Sequence, residues 1–109
     1  MKNLFHIPAS DLSGTEAPEI FEALIKTPGL LVERIISRGQ VTPEGEWYDQ
    51  ELDEWVALIS GHAIIRFEPD ERIELAPGDY LLIPAHRRHR VEYTSVDPAC
   101  IWLAIHGNL

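Results

Sequence analysis

The chain is short of cysteine, of basic charge and of long apolar runs, and each shortage narrows what it can be. Its 109 residues include one cysteine, Cys100, so no internal disulfide can form. A chain this small in an oxidising compartment usually carries several bridges, so a cytoplasmic setting is expected. No apolar stretch approaches the ~20 residues that cross a bilayer. The opening Met1-Lys2-Asn3-Leu4-Phe5-His6 also lacks the apolar run of a signal peptide. No CxxC pair, glycine-rich phosphate loop or Ser-His-Asp order occurs. Lys and Arg number 9 against 18 Asp and Glu, a net charge of −9. A field of that sign repels phosphate backbones and anionic lipid, so neither nucleic acid nor membrane is an expected partner.

What is present describes one soluble globular domain with a single modest core: 45% of residues are hydrophobic and 25% charged. There is no repeat, low-complexity tract or linker. Ser13-Gly14-Thr15-Glu16 has the form of a capping box, and Ile20, Phe21, Leu24 and Ile25 behind it fall on one helical face. Thr27-Pro28-Gly29 would stop that segment. One short N-terminal helix is therefore expected, within an arm over 1–28 that precedes a β-domain over 29–109.

From Leu30 onward the signals are β. Apolar or alternating runs cover Leu30–Arg38, Glu54–Ser60, Ala63–Phe67, Arg72–Leu75, Tyr80–Pro84, His89–Thr94 and Cys100–His106. Turns rich in Gly, Pro and Asp separate them, which indicates an all-β sandwich or small barrel.

Chemistry is expected where polar residues interrupt apolar strands. Alternation puts Glu54, Val56 and Leu58 on one face of their strand and Trp55, Ala57 and Ile59 on the other. Glu54 thus sits at the edge of a core, where a carboxylate must be paired, hydrogen-bonded or metal-bound. Asp49 and Gln50 offer further oxygen ligands nearby. His86 and His89 stand three apart after Pro84, and two imidazoles at a strand mouth can share one ion. Arg87, Arg88 and Arg90 among them admit two readings: a solvated strand entrance paired with surrounding carboxylates, or an anion-recognising lip. Cys100 and the tryptophans read as core or interface mass, His62 as a hairpin turn, and His106 as a packing residue.

Two stretches resemble the cupin superfamily. Glu54–Gly61, a Glu followed by six residues and Gly, is similar to the end of its first motif. Gly78-Asp79-Tyr80-Leu81-Leu82-Ile83-Pro84-Ala85-His86-Arg87-Arg88-His89 is similar to the second, which runs Gly, five residues, Pro-x-Gly, two residues, His. The resemblance implies a small single-domain barrel of double-stranded β-helix (jelly-roll) form, usually dimeric. It also implies one divalent metal held by three histidines and a glutamate.

This chain departs from that pattern. The His-x-His ahead of the Glu is replaced by Trp47 and Asp49, or by Tyr48 and Gln50, and the Gly of Pro-x-Gly is His86. Glu54 and His89 carry over; Asp49 or Gln50, and His86, are the substitutes. The expected metal set is therefore Asp49, Glu54, His86 and His89, holding Fe, Mn, Ni or Zn. The expected pocket is Tyr48, Gln50, Val56, Leu58, Val91 and Tyr93. A metal-binding barrel that acts on or senses a small molecule is the expected function. A metal-free ligand-binding or regulatory barrel is the alternative, and a homodimer is expected in either case.

Overall fold

The computed structural model describes residues 1–7 and 18–109. Eight strands follow one another: β1 (Ile20–Thr27), β2 (Leu30–Ser37), β3 (Asp53–Ser60), β4 (Ala63–Phe67), β5 (Glu71–Leu75), β6 (Tyr80–Ile83), β7 (His89–Thr94) and β8 (Cys100–Gly107). They form two antiparallel sheets, one in the order β1-β2-β8-β3-β6 and one in the order β5-β4-β7. The jelly-roll expectation holds, and no helix long and apolar enough to cross a membrane occurs among the described residues.

The expected N-terminal helix is not formed where it can be observed. Ile20–Thr27 is an edge strand paired with β2, while the capping box lies outside the described residues. The misreading has a local cause. A register irregularity between Ala23 and Ile25 interrupts the alternation of β1, so Phe21 pairs with Ile35 and Ile25 with Val32. Phe21 lines the open cavity beside Ile35 while remaining largely exposed, and Ile25 is exposed as well. A bulged strand therefore carries apolar residues at spacings that imitate a helical face.

Inward-facing residues of both sheets make one core: Val56, Leu58, Ile65, Phe67, Ile83 and Trp102 are all nearly or fully buried. Trp102 Nε1 donates to Ser37 Oγ at 3.1 Å, and the Ser37 hydroxyl donates in turn to Glu19.

The β3–β4 hairpin turns on Gly61, at φ +86°. A Cβ there would stand 2.8 Å from both Cα and Sγ of Cys100, so only glycine lets the hairpin lie against β8. Cys100 itself is fully buried and donates through Sγ to the His62 carbonyl, as its reading as core mass requires.

Residues 40–48 run beside β7. The Thr42 N–H donates to the Val91 carbonyl at 3.0 Å, the Val91 N–H donates to the Thr42 hydroxyl at 2.9 Å, and Thr94 Oγ1 donates to the Gln40 carbonyl. Tyr48 and His89 close the run with a pair of backbone hydrogen bonds of 2.7 and 3.1 Å.

Candidate functional site: an acidic cavity in the barrel

The two sheets part at one end of the barrel around a cavity of about 590 Å³, counting its open mouth. Carboxyl and imidazole groups enter it from several strands. Glu54, on β3, lies directly opposite His106 on β8 and Ile83 on β6. Glu33 comes from β2, and His89 opens β7 in the other sheet. Tyr48 and Gln50 enter from the β2–β3 connection, and Glu19 and Phe21 from the β1 side. Ile35, Val56, Ile65, Val91 and Trp102 complete a largely apolar wall.

Hydrogen bonds orient the imidazoles. His89 is 5% exposed, and its Nδ1 lies 2.9 Å from the Arg87 carbonyl oxygen. A carbonyl only accepts, so Nδ1 carries the proton and Nε2 is the atom turned into the cavity. That Nε2 stands 3.7 Å from Glu54 Oε1, across a gap too wide for a hydrogen bond. The Tyr48 ring stacks on His89 with centroids 5.5 Å apart. His106 Nε2 donates to Glu33 Oε1 at 2.9 Å, in a pair shielded from solvent on both sides.

Burial raises the Glu54 pKa above 4.5 against the attraction of His106 and His89, and the Glu33 charge adds to the rise. Glu19 is raised as well, mainly by burial and against its hydrogen bond from Ser37. Burial, with the charges of Glu19 and Glu54, also pushes the Tyr48 phenol up. Glu54 thus holds its proton more tightly than an exposed carboxyl does.

Of the expected residues, the structure brings Tyr48, Gln50, Glu54, Val56, His89 and Val91 together at this cavity. Four go elsewhere. Asp49 and His86 pair with each other at the surface, Nδ1 to Oδ1 at 2.8 Å, with side chains half or more exposed. Strand alternation does not govern His86, because it occupies the turn position of the motif glycine and adopts φ +65°. Leu58 lies deeper, fully buried in the apolar core. Tyr93 faces out. A register irregularity in the β4–β7 pairing sets Val91 against Ile65 but Tyr93 against Ile64, so two residues expected on one face point to opposite ones.

The four expected ligands therefore do not fit a single ion. Among the described residues, no group of three or more His, Cys, Asp or Glu stands close enough together to hold one.

The arginine run follows its plainer reading. Arg87 pairs with Glu71 and Arg88 with Glu68, and Arg90 donates to the Thr42 carbonyl; none lines the cavity.

His106, Glu33 and Glu19 are the titratable cavity residues that the sequence reading missed. A signal for the first two existed. Trp102, Ala104 and His106 share a face by alternation, as Glu54 shares one with Val56, and Glu33 is a carboxylate within an apolar strand just as Glu54 is.

Comparison with known proteins agrees with this architecture. The family model described as "Cupin domain" matches residues 35–106. The chain belongs to the cupin family. A crystal structure from Ralstonia eutropha JMP134, provisionally assigned as a mannose-6-phosphate isomerase, is 44% identical, covers 100% of this chain and 98% of its own, and superposes with a TM-score of 0.88. A cupin superfamily protein of Desulfitobacterium hafniense DCB-2 is 22% identical over 83% of this chain and 77% of its own, with a TM-score of 0.71. The Fe(II) form of HppE is 12% identical over 81% of this cupin and 49% of its own chain, with a TM-score of 0.68. The last two likenesses concern the fold alone. None of the curated proteins compared with the chain matches it.

Proposed function

We propose that this cupin is an acid–base catalyst that takes a small polar molecule into the barrel and moves a proton with Glu54 and His89. The observation that carries the reading is the buried Glu54 carboxyl facing His89 Nε2 across 3.7 Å at the wall of an open cavity. The two groups are close enough for one ligand oxygen, approaching from the cavity side, to contact both. Ionised Glu54, with its raised affinity for protons, is a strong base for its type. His89, anchored through Nδ1, presents an unprotonated Nε2 that accepts a hydrogen bond from a ligand hydroxyl or takes up its proton.

Isomerisation of a hydroxy-carbonyl compound is chemistry of this kind. A base removes the proton from the carbon beside the carbonyl while the carbonyl oxygen takes one up, giving an enediol; a proton then returns to the former carbonyl carbon as the neighbouring hydroxyl gives up its own and becomes the new carbonyl. The isomerase assignment of the 44% identical protein supports that class. The metal expected from the resemblance is not used in this reading, because its proposed ligands diverge. A bound small molecule and a homodimer remain part of the proposal, and sedimentation of the full chain reads the second.

The test is deuterium exchange from solvent into a panel of hydroxy-aldehydes and hydroxy-ketones, followed by NMR with the parent chain, Glu54→Gln and His89→Ala. Exchange by the parent that drops by roughly 10²-fold or more in Glu54→Gln is the expected result. Undiminished exchange in that variant overturns the reading. Near one transition metal per untagged chain, lost in His89→Ala, would replace it with the metal-binding one.

A further inference from the structure

The cavity is acidic, and its charge constrains what enters. Three carboxyls, from Glu19, Glu33 and Glu54, line it with two imidazoles, and no Lys or Arg does so among the described residues. Residues 8–17, which are not described, contain no Lys or Arg either. Five arginines form ion pairs with carboxyls that do not line the cavity: Arg34 with Glu22, Arg66 with Asp70, Arg72 with Glu92, Arg87 with Glu71 and Arg88 with Glu68. Neither imidazole compensates as a free cation. His106 is held by Glu33, and His89 faces Glu54, so each has a carboxyl as its nearest charged neighbour.

A phosphate or carboxylate brought into this space would be stripped of water among carboxyls with no guanidinium or ammonium to receive it, which is costly at partly buried sites. The uncharged parts of the wall suit a different guest. Phe21, Tyr48 and Trp102 present aromatic surface, and the carboxyls accept hydrogen bonds from hydroxyl or ammonium donors.

We infer that the barrel selects against anions, and that its ligand is a small polyhydroxy or amine-bearing molecule with no phosphate or carboxylate group. The inference rests on the proton-transfer reading only for the location of the site. It narrows the substrate class to uncharged and cationic hydroxy-carbonyl compounds, and it separates this cavity from one built for a sugar phosphate.

The experiment uses three hexoses of one skeleton and different charge: glucosamine, glucose and glucose 6-phosphate. Each is titrated into the full chain to tens of millimolar at constant ionic strength, and the ring-proton NMR signals of His89 and His106 are followed. Glucosamine and glucose are expected to shift both histidines, and glucose 6-phosphate to bind at least about tenfold more weakly than glucose. In Glu19→Gln, which removes one carboxyl without touching either imidazole pair, that gap is expected to narrow. Tighter or equal binding of the phosphate overturns the inference, and so does the absence of any response to glucose and glucosamine. Loss of isotope exchange in Glu54→Gln tests the catalytic reading separately, so either can fail while the other stands.

Discussion

His86 Nδ1 meets Asp49 Oδ1 at 2.8 Å on the outside of the barrel, where both side chains are half or more exposed. The two residues that best replaced missing metal ligands on paper thus satisfy each other at the surface. His86 also holds φ +65°, a conformation that costs a side-chain-bearing residue about 1–2 kcal/mol and glycine almost nothing. An exposed imidazole–carboxylate pair returns at most about 1 kcal/mol. His86→Gly is therefore expected to melt at or above the parent temperature and to leave ligand binding unchanged. A fall in melting temperature would show that the Asp49 pair outweighs the backbone strain, and a loss of ligand binding would show that His86 reaches the cavity.

The raised Glu54 pKa fixes the sign of a pH effect. In the folded chain the carboxyl holds its proton to higher pH than in the unfolded chain, mainly because burial penalises the charge. Between the unfolded value, near 4.5, and the raised folded one, the native state binds more protons, so stability falls as pH rises. Glu19 contributes in the same direction. Chemical denaturation from pH 4 to 8 is expected to show that decline, and Glu54→Gln, which cannot ionise, to flatten part of it and to be more stable than the parent at the upper end. An unchanged slope in the variant would mean that Glu54 does not titrate in this window.

Gly61 makes the sharpest steric prediction. A methyl group there meets Cys100 backbone and sulfur at 2.8 Å, at a φ that alanine adopts with strain. Gly61→Ala is expected to lose roughly 1–3 kcal/mol or more in urea unfolding. Cys100→Ala in the same background relieves only the contact with sulfur, so it should recover a minor part of the loss. Full recovery would mean that the backbone of β8 can shift.

Most of the barrel was legible because local and global signals coincide in it. Ala63–Phe67 and His89–Thr94 are strands with the bounds that their alternation and flanking turns announce. The misreadings share a physical cause, the loss of period two. Bulge-like register shifts hid β1 behind a helical pattern and turned Tyr93 outward, and a left-handed turn freed His86 from any strand direction. At the site, Glu54 and His89 were readable from motif and alternation. Glu33 and His106 were not found, because Glu33 stands beside Arg34 in its strand and His106 is a lone polar residue in its own, and only the β2-β8-β3 order brings them together beside Glu54.

That pair supplies the last prediction. Glu33 and His106 are about equally shielded, 13% and 14% exposed, and joined at 2.9 Å, so either one alone would be a buried polar group without its partner. Glu33→Met and His106→Leu are each expected to cost about 1–3 kcal/mol, the range for an orphaned buried group. The double variant replaces both with apolar side chains, which removes the orphan altogether, so it should lose less than the sum of the two. Because the Glu33 charge raises the Glu54 pKa while His106 lowers it, the two single variants should move the pH profile of any proton-transfer activity in opposite directions, toward lower pH for Glu33→Met and higher for His106→Leu. Additive losses, or profiles that shift the same way, would show that the pair acts on the fold alone and does not set the acidity of Glu54.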